Sequence, residues 1–106
     1  MAGFIQIIEF TTSRPDEVQA LGTEYRAGRV ADGGRLPVLR GTITADKDRP
    51  NTYLNIVEFA SHADAMENSN HPATSEFSQK MMTLCDGPPK FYNLDVLESW
   101  DPNSAS

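Results

Sequence analysis

A single cysteine, Cys85, in a chain of 106 residues is too little for an internal disulfide or a site built from several thiolates. It falls on the apolar side of an expected helix and reads as a small core residue. Basic side chains are also scarce, with nine Lys and Arg against fifteen Asp and Glu, a net charge of −6 and a pI near 4.7. A protein that grips phosphates needs a surplus of cations on one face, so nucleic acid is excluded as a partner. No segment approaches the ~18 consecutive apolar residues of a membrane span, and no basic stretch leads into an apolar run near the N-terminus. These absences make a cytoplasmic location away from membranes the default expectation.

What charge there is lies unevenly. Residues 1–53 hold seven acids and seven bases, whereas residues 54–106 hold eight acids and only Lys80 and Lys90. Arg26, Arg29, Arg35, Arg40, Lys47 and Arg49 crowd the middle of the chain, either as an anion-attracting patch or as an ordinary solvated surface. Hydrophobic content of 39% and charged content of 23% are those of a globular domain. One domain over residues 1–100 with a disordered tail at 101–106 fits this length.

The order of elements follows from residue type. Gly3 to Thr11 is rich in β-branched and aromatic residues and reads as a strand. Ser13 with Asp16, and Pro15 in the first turn, start a helix expected to reach Asp32, with Val18, Leu21 and Tyr25 as its apolar face and Gly33 and Gly34 as its stop. Val38 to Ala45 and Thr52 to Phe59 read as a hairpin across a polar loop. Ser61 caps a short helix, Pro72 opens another that shows Phe77, Met81, Leu84 and Cys85 on one face, and Lys90 to Glu98 reads as a last strand. The expected class is α+β: a ferredoxin-like βαββαβ chain with a four-stranded antiparallel sheet, its second helix broken in two.

Side chains alternate across a strand, so the face without helices should be polar if water covers it. Here both faces are apolar. Ile5 and Ile7 oppose Phe4, Ile8 and Phe10, and Leu54 and Ile56 oppose Tyr53, Val57 and Phe59. A second copy covering that face is the simplest solution, giving a homodimer in which two sheets close into an α/β barrel.

At Phe59, Ala60 and Ser61, then Ala65 and Met66, then His71 and Pro72 on to Phe77, the chain resembles the dimeric α/β-barrel superfamily, and within it the antibiotic biosynthesis monooxygenase-like proteins. The resemblance implies a pocket for a small apolar or aromatic ligand. It brings in cofactor-independent quinol or anthrone oxygenases, haem-degrading enzymes and isomerases. The strand-end tryptophan common in the family is Phe59 here, and the first-strand asparagine of haem-degrading members has only Gln6 near its place, which speaks against haem degradation.

Two residues are the expected catalytic pair. His71 precedes a proline at a helix start, where the positive end of the helix favours a neutral imidazole able to take a proton. Asn55 is a polar residue in an apolar strand, suited to hydrogen-bond a developing oxyanion. Gln6, Tyr25, Phe59 and Trp100 are the expected substrate contacts, the aromatic ones by stacking. His62 is expected in solvent. The histidines and nearby acids have no metal-ligand spacing, so no metal is expected and no cofactor is required; haem held by His71 is the remaining cofactor option. The functional alternatives are an oxygenase acting on quinol-like aromatics, a non-catalytic dimeric ligand-binding or stress-type module whose pocket is small or is filled by Phe77, Met81 and Leu84, and a haem-binding protein.

Overall fold

A computed structural model describes residues 3–31 and 36–103. Four strands and three helices run in the order β1 (Phe4–Thr11), α1 (Pro15–Ala31), β2 (Arg40–Ala45), β3 (Thr52–Phe59), α2 (His62–Ser69), α3 (Pro72–Leu84) and β4 (Lys90–Asp95). The sheet is antiparallel throughout in the order β2-β3-β1-β4, the ferredoxin-like α+β arrangement expected from the sequence. β2 starts two residues later than expected, although the Leu39 N–H still donates to the Glu58 carbonyl at 2.8 Å. β4 ends at Asp95, with one further rung from Val96 N–H to the Gly3 carbonyl at 2.9 Å. The expected stop of α1 at Gly33 and Gly34, and the end of the expected tail at 104–106, lie outside the described residues.

Local chemistry sets the joints. The β2–β3 connection turns through Asn51 at φ 61°, a left-handed conformation that asparagine tolerates better than most residues. Asp46 closes the same loop by accepting from the Asp48 N–H at 2.9 Å and from Arg49 Nε at 2.8 Å. The start of α1 differs from expectation, since the hydroxyl that meets it belongs to Thr12 and not Ser13. Thr12, fully buried, accepts from the Arg14 N–H at 2.9 Å and donates to the Leu84 carbonyl at 2.6 Å. One side chain thereby ties the end of β1 to the end of α3, whereas Ser13 points into solvent. Ser61 caps α2 as expected, accepting from the Asp64 N–H at 3.1 Å.

The tight core is small and lies at one end of the sheet, where Phe4, Phe59 and Ala65 pack with Val38, Val57 and Met66. Phe59 is 2% exposed. α2 makes that contact; α1 and α3 pack on each other and stand off the middle of the sheet. Strand register puts Gln6, Ile8, Asn55, Val57, Gly41, Ile43 and Phe91 on the helix side. Ile5, Ile7, Leu54, Ile56, Tyr92 and Leu94 share the opposite, uncovered face. No helix among the described residues is long and apolar enough to cross a membrane.

Candidate functional site

The space between sheet and helices is a cleft with two lobes, of about 620 Å³ and about 370 Å³. Ile8, Arg26, Asn55 and Phe77 belong to the walls of both lobes, which makes them parts of one site. The smaller lobe is almost wholly apolar, with Phe10, Val18, Met81 and Cys85 adding to its lining. A third, smaller groove of about 160 Å³ runs along the outside of α1 and α3 and does not reach the sheet. The filled-space alternative is therefore not what the fold contains: Phe77 and Met81 line the cleft instead of closing it, and α3 has no fully buried residue.

Asn55 lies on the sheet floor of both lobes, paired across β1 with Ile8 and across β2 with Ile43. Among the described residues its side-chain amide makes no protein hydrogen bond, and the residue lines both lobes. Gln6 lies on the same floor and donates from Nε2 to Asn93 Oδ1 at 3.2 Å. Phe59 reaches the larger lobe from its place in the core. Tyr25 projects from α1 into the same lobe.

Two expected site residues are elsewhere. His71 lines neither lobe; it is the N-cap of α3, and its Nδ1 accepts from the Ala73 N–H at 3.0 Å. Because Nδ1 serves as acceptor, the neutral ring carries its proton on Nε2 and has no lone pair left for a substrate proton without giving up the cap. The same placement takes His71 away from any haem in the cleft. Trp100 is 75% exposed beyond the end of β4 and touches neither lobe. A strand pattern locates a residue on the chain, but β4 ends five residues before Trp100 and nothing turns it back. His62 is exposed, as expected, with its ring centroid 5.0 Å from that of Phe4 in an edge-to-face arrangement. Among the described residues no group of three or more His, Cys, Asp or Glu is arranged to hold a metal.

The inward stripe of α1 also differs from expectation. It runs Val18, Gly22, Tyr25, Arg26 and Arg29, with Leu21 turned to the outer groove. Arg29 is 4% exposed, and its Nη1 donates to Asn68 Oδ1 at 2.8 Å, to the Tyr25 hydroxyl at 2.8 Å and to Thr74 Oγ1 at 3.3 Å. The Tyr25 and Thr74 hydroxyls are 2.6 Å apart. Helical spacing puts Arg26 and Arg29, four and seven residues after Gly22, on one face with it, but which face turns inward is set by the packing of α1 on α3. Of the other central cations, Arg40 pairs with Glu58 at 3.9 Å and Arg49 with Asp46 and Glu9, while Arg35 lies outside the described residues.

A helix-roofed antiparallel sheet, with a mostly apolar cleft and one unpartnered amide on its floor, defines a protein of ferredoxin-like fold with an open helix–sheet cleft. Comparison with solved structures gives that fold a narrower likeness, to antibiotic biosynthesis monooxygenase-like proteins. A provisional antibiotic biosynthesis monooxygenase from Caulobacter crescentus superposes with a TM-score of 0.76 at 15% identity, over 92% of each chain. SnoaB, a cofactor-independent oxygenase from Streptomyces nogalater, superposes at 0.71 and 14% identity over 98% of this chain and 100% of its own. A conserved protein from Methanosarcina mazei superposes at 0.74 with 7% identity, over 89% of this chain and 92% of its own. At such identities the likeness is one of fold. Comparison with family models and with curated proteins finds no match.

Proposed function

We propose that the chain is a cofactor-independent oxygenase of quinol-like aromatics, and the observation that carries this reading is the free Asn55 amide on the floor of an apolar cleft. The fold shared with SnoaB supports it. In the proposed reaction the ring lies between the sheet and Phe77, and Asn55 donates a hydrogen bond to the ring oxygen on which charge develops. That contact stabilises the substrate anion in a low-dielectric space. A C–H proton leaves and its electron pair goes to dioxygen. A C–O bond forms as a ring hydroperoxide, whose O–O bond then breaks with loss of water to leave the quinone. An anthrone and one dioxygen balance as an anthraquinone and one water.

No Asp, Glu or His lines either lobe among the described residues, so the proton passes to water at the cleft mouth. Rate therefore rises with pH as the substrate ionises and shows no imidazole inflection. The same scarcity of bases favours the second reading, a module that binds an aromatic and does not turn it over.

Oxygen uptake with an anthrone or a dihydroxynaphthalene, with quinone measured by chromatography, separates the two. Stoichiometric quinone formation that falls roughly a hundredfold in kcat for Asn55→Ala is the expected result. Binding without oxygen uptake, or uptake indifferent to Asn55→Ala, would overturn the oxygenase reading.

We also propose that the working form is a homodimer. The uncovered face presents Ile5, Ile7, Leu54, Ile56, Tyr92 and Leu94, with Leu94 43% exposed. At ~25 cal/mol per Å², covering several hundred Å² of such surface offsets much of the cost of association. Leu97, 96% exposed, and Trp100 lie beyond the same sheet and are suited to join the contact.

A further inference from the structure

Among the described residues a single charged side chain lines the cleft, and it is a cation. In a chain with fifteen acids and nine bases, no carboxylate lines either lobe among the described residues, and Arg26 lines both. Arg26 folds back over Gly22, where an added Cβ would come within 3.3 Å of its Nη1. Its one side-chain hydrogen bond is a long one, from Nη2 to Thr23 Oγ1 at 3.4 Å, and no carboxylate pairs with it among the described residues. Its fork of donors is therefore open to a ligand.

Behind that wall sits a second cation. Arg29 is buried with no carboxylate beside it among the described residues, and every partner of its Nη1 is a neutral oxygen. A guanidinium only donates, so each oxygen it meets must accept; the Tyr25 and Thr74 hydroxyls share one hydrogen between them at 2.6 Å, which leaves one hydroxyl hydrogen over. Tyr25, Asn68 and Thr74 supply those oxygens, and all three line the larger lobe. Arg29 itself does not line it, so its influence reaches the cleft through them. The result is a polar wall, with one hydroxyl hydrogen and the Asn68 amide N–H left to donate, backed by a positive charge that no carboxylate among the described residues offsets, at one end of a mostly apolar space.

We infer that the ligand is an aromatic carboxylate, its ring in the apolar cleft and its carboxylate on Arg26 and the Tyr25–Thr74 wall, with Arg29 as the positioning residue behind. This rests on the reading of the cleft as an aromatic-binding site and adds the charge that the ligand carries. A carboxylate matches the guanidinium fork in two parallel hydrogen bonds, which a neutral amide of the same shape cannot reproduce.

Calorimetric titration of the full chain with naphthoate and with naphthamide, at low and high salt, tests the charge apart from any turnover. Naphthoate is expected to bind about tenfold tighter, a difference of about 1.4 kcal/mol, with the margin shrinking as salt rises. Arg26→Gln, at an exposed helix position, should abolish most of that margin and leave naphthamide unchanged. Arg29→Met should narrow it and Arg29→Lys should restore part of it, a pattern that a merely structural role would not produce. Equal affinity for the two probes, or a margin that survives Arg26→Gln, overturns the carboxylate assignment and leaves the aromatic cleft standing. Failure of both probes to bind overturns the two together.

Discussion

Tyr25 stacks on Phe77 with ring centroids 4.7 Å apart and planes 28° from parallel, joining α1 to α3 across the roof of the cleft. The same tyrosine gives its hydroxyl to the buried Arg29. One side chain thus closes the roof with its ring and satisfies a buried cation with its oxygen. Removing only the oxygen separates these roles: Tyr25→Phe keeps the stack but takes an acceptor from Arg29. Stability should fall by about 1 to 2 kcal/mol, read from the urea midpoint at unchanged slope.

His71 caps α3 and lines neither lobe of the cleft. Its Nδ1 satisfies one of the free N–H groups at the start of α3, a contact worth about 1 kcal/mol when it belongs to an N-cap. His71→Ala should lower stability by about that amount, and His71→Asn or His71→Ser should recover most of it. Quinone formation at saturating substrate should stay within about twofold of the parent, since the imidazole is outside the cleft. A drop of a hundredfold in kcat would return His71 to the reaction.

Acid should loosen the edge of the uncovered sheet face. The Arg49 guanidinium, and after it the Tyr92 hydroxyl, hold Glu9 below its ordinary pKa; the Asp48 N–H, and after it Arg49, do the same for Asp46. Carboxyls depressed in the folded state contribute stability above their unfolded pKa, near ~4, and lose it as pH falls through the lower folded value. Stability measured from pH 6 downward should therefore begin to decline near about pH 4. Arg49→Gln should make that decline shallower, because it removes part of the difference between folded and unfolded values. An identical acid limb in parent and variant would refute the assignment.

A charge in the middle of the bare face should keep the chain single. Ile56 sits on the central strand β3, opposite Ile7 of β1 and Thr42 of β2. Sedimentation of the parent should give twice the 11.7 kDa of one chain, and Ile56→Arg should give one. A parent that sediments as a single chain at micromolar concentration would refute the dimer.

Elements whose signals are local were readable in advance. The Ser61 cap of α2 rests on an oxygen three residues from its N–H partner, and β3 from Thr52 to Phe59 rests on an unbroken run of strand formers, so neighbours along the chain decide both. Asn55 was readable as a floor residue because alternation puts it with Val57 and Phe59. Thr12 was not, because its hydroxyl is fixed by the Leu84 carbonyl, 72 residues away. Nor was the true inward face of α1: Leu21 is the more apolar residue, but the packing of α1 against α3 turns it outward and brings Arg29 in.

The order and kinds of the elements, the apolar character of both sheet faces and the break between α2 and α3 came from the chain itself, since propensity and periodicity act over a few residues. Which polar groups share the cleft was decided only by the fold. A buried arginine needs acceptors from three different helices, and Asn68, Tyr25 and Thr74 converge on Arg29 because α1, α2 and α3 meet there. That meeting is a property of packing in space, and no stretch of sequence carries it.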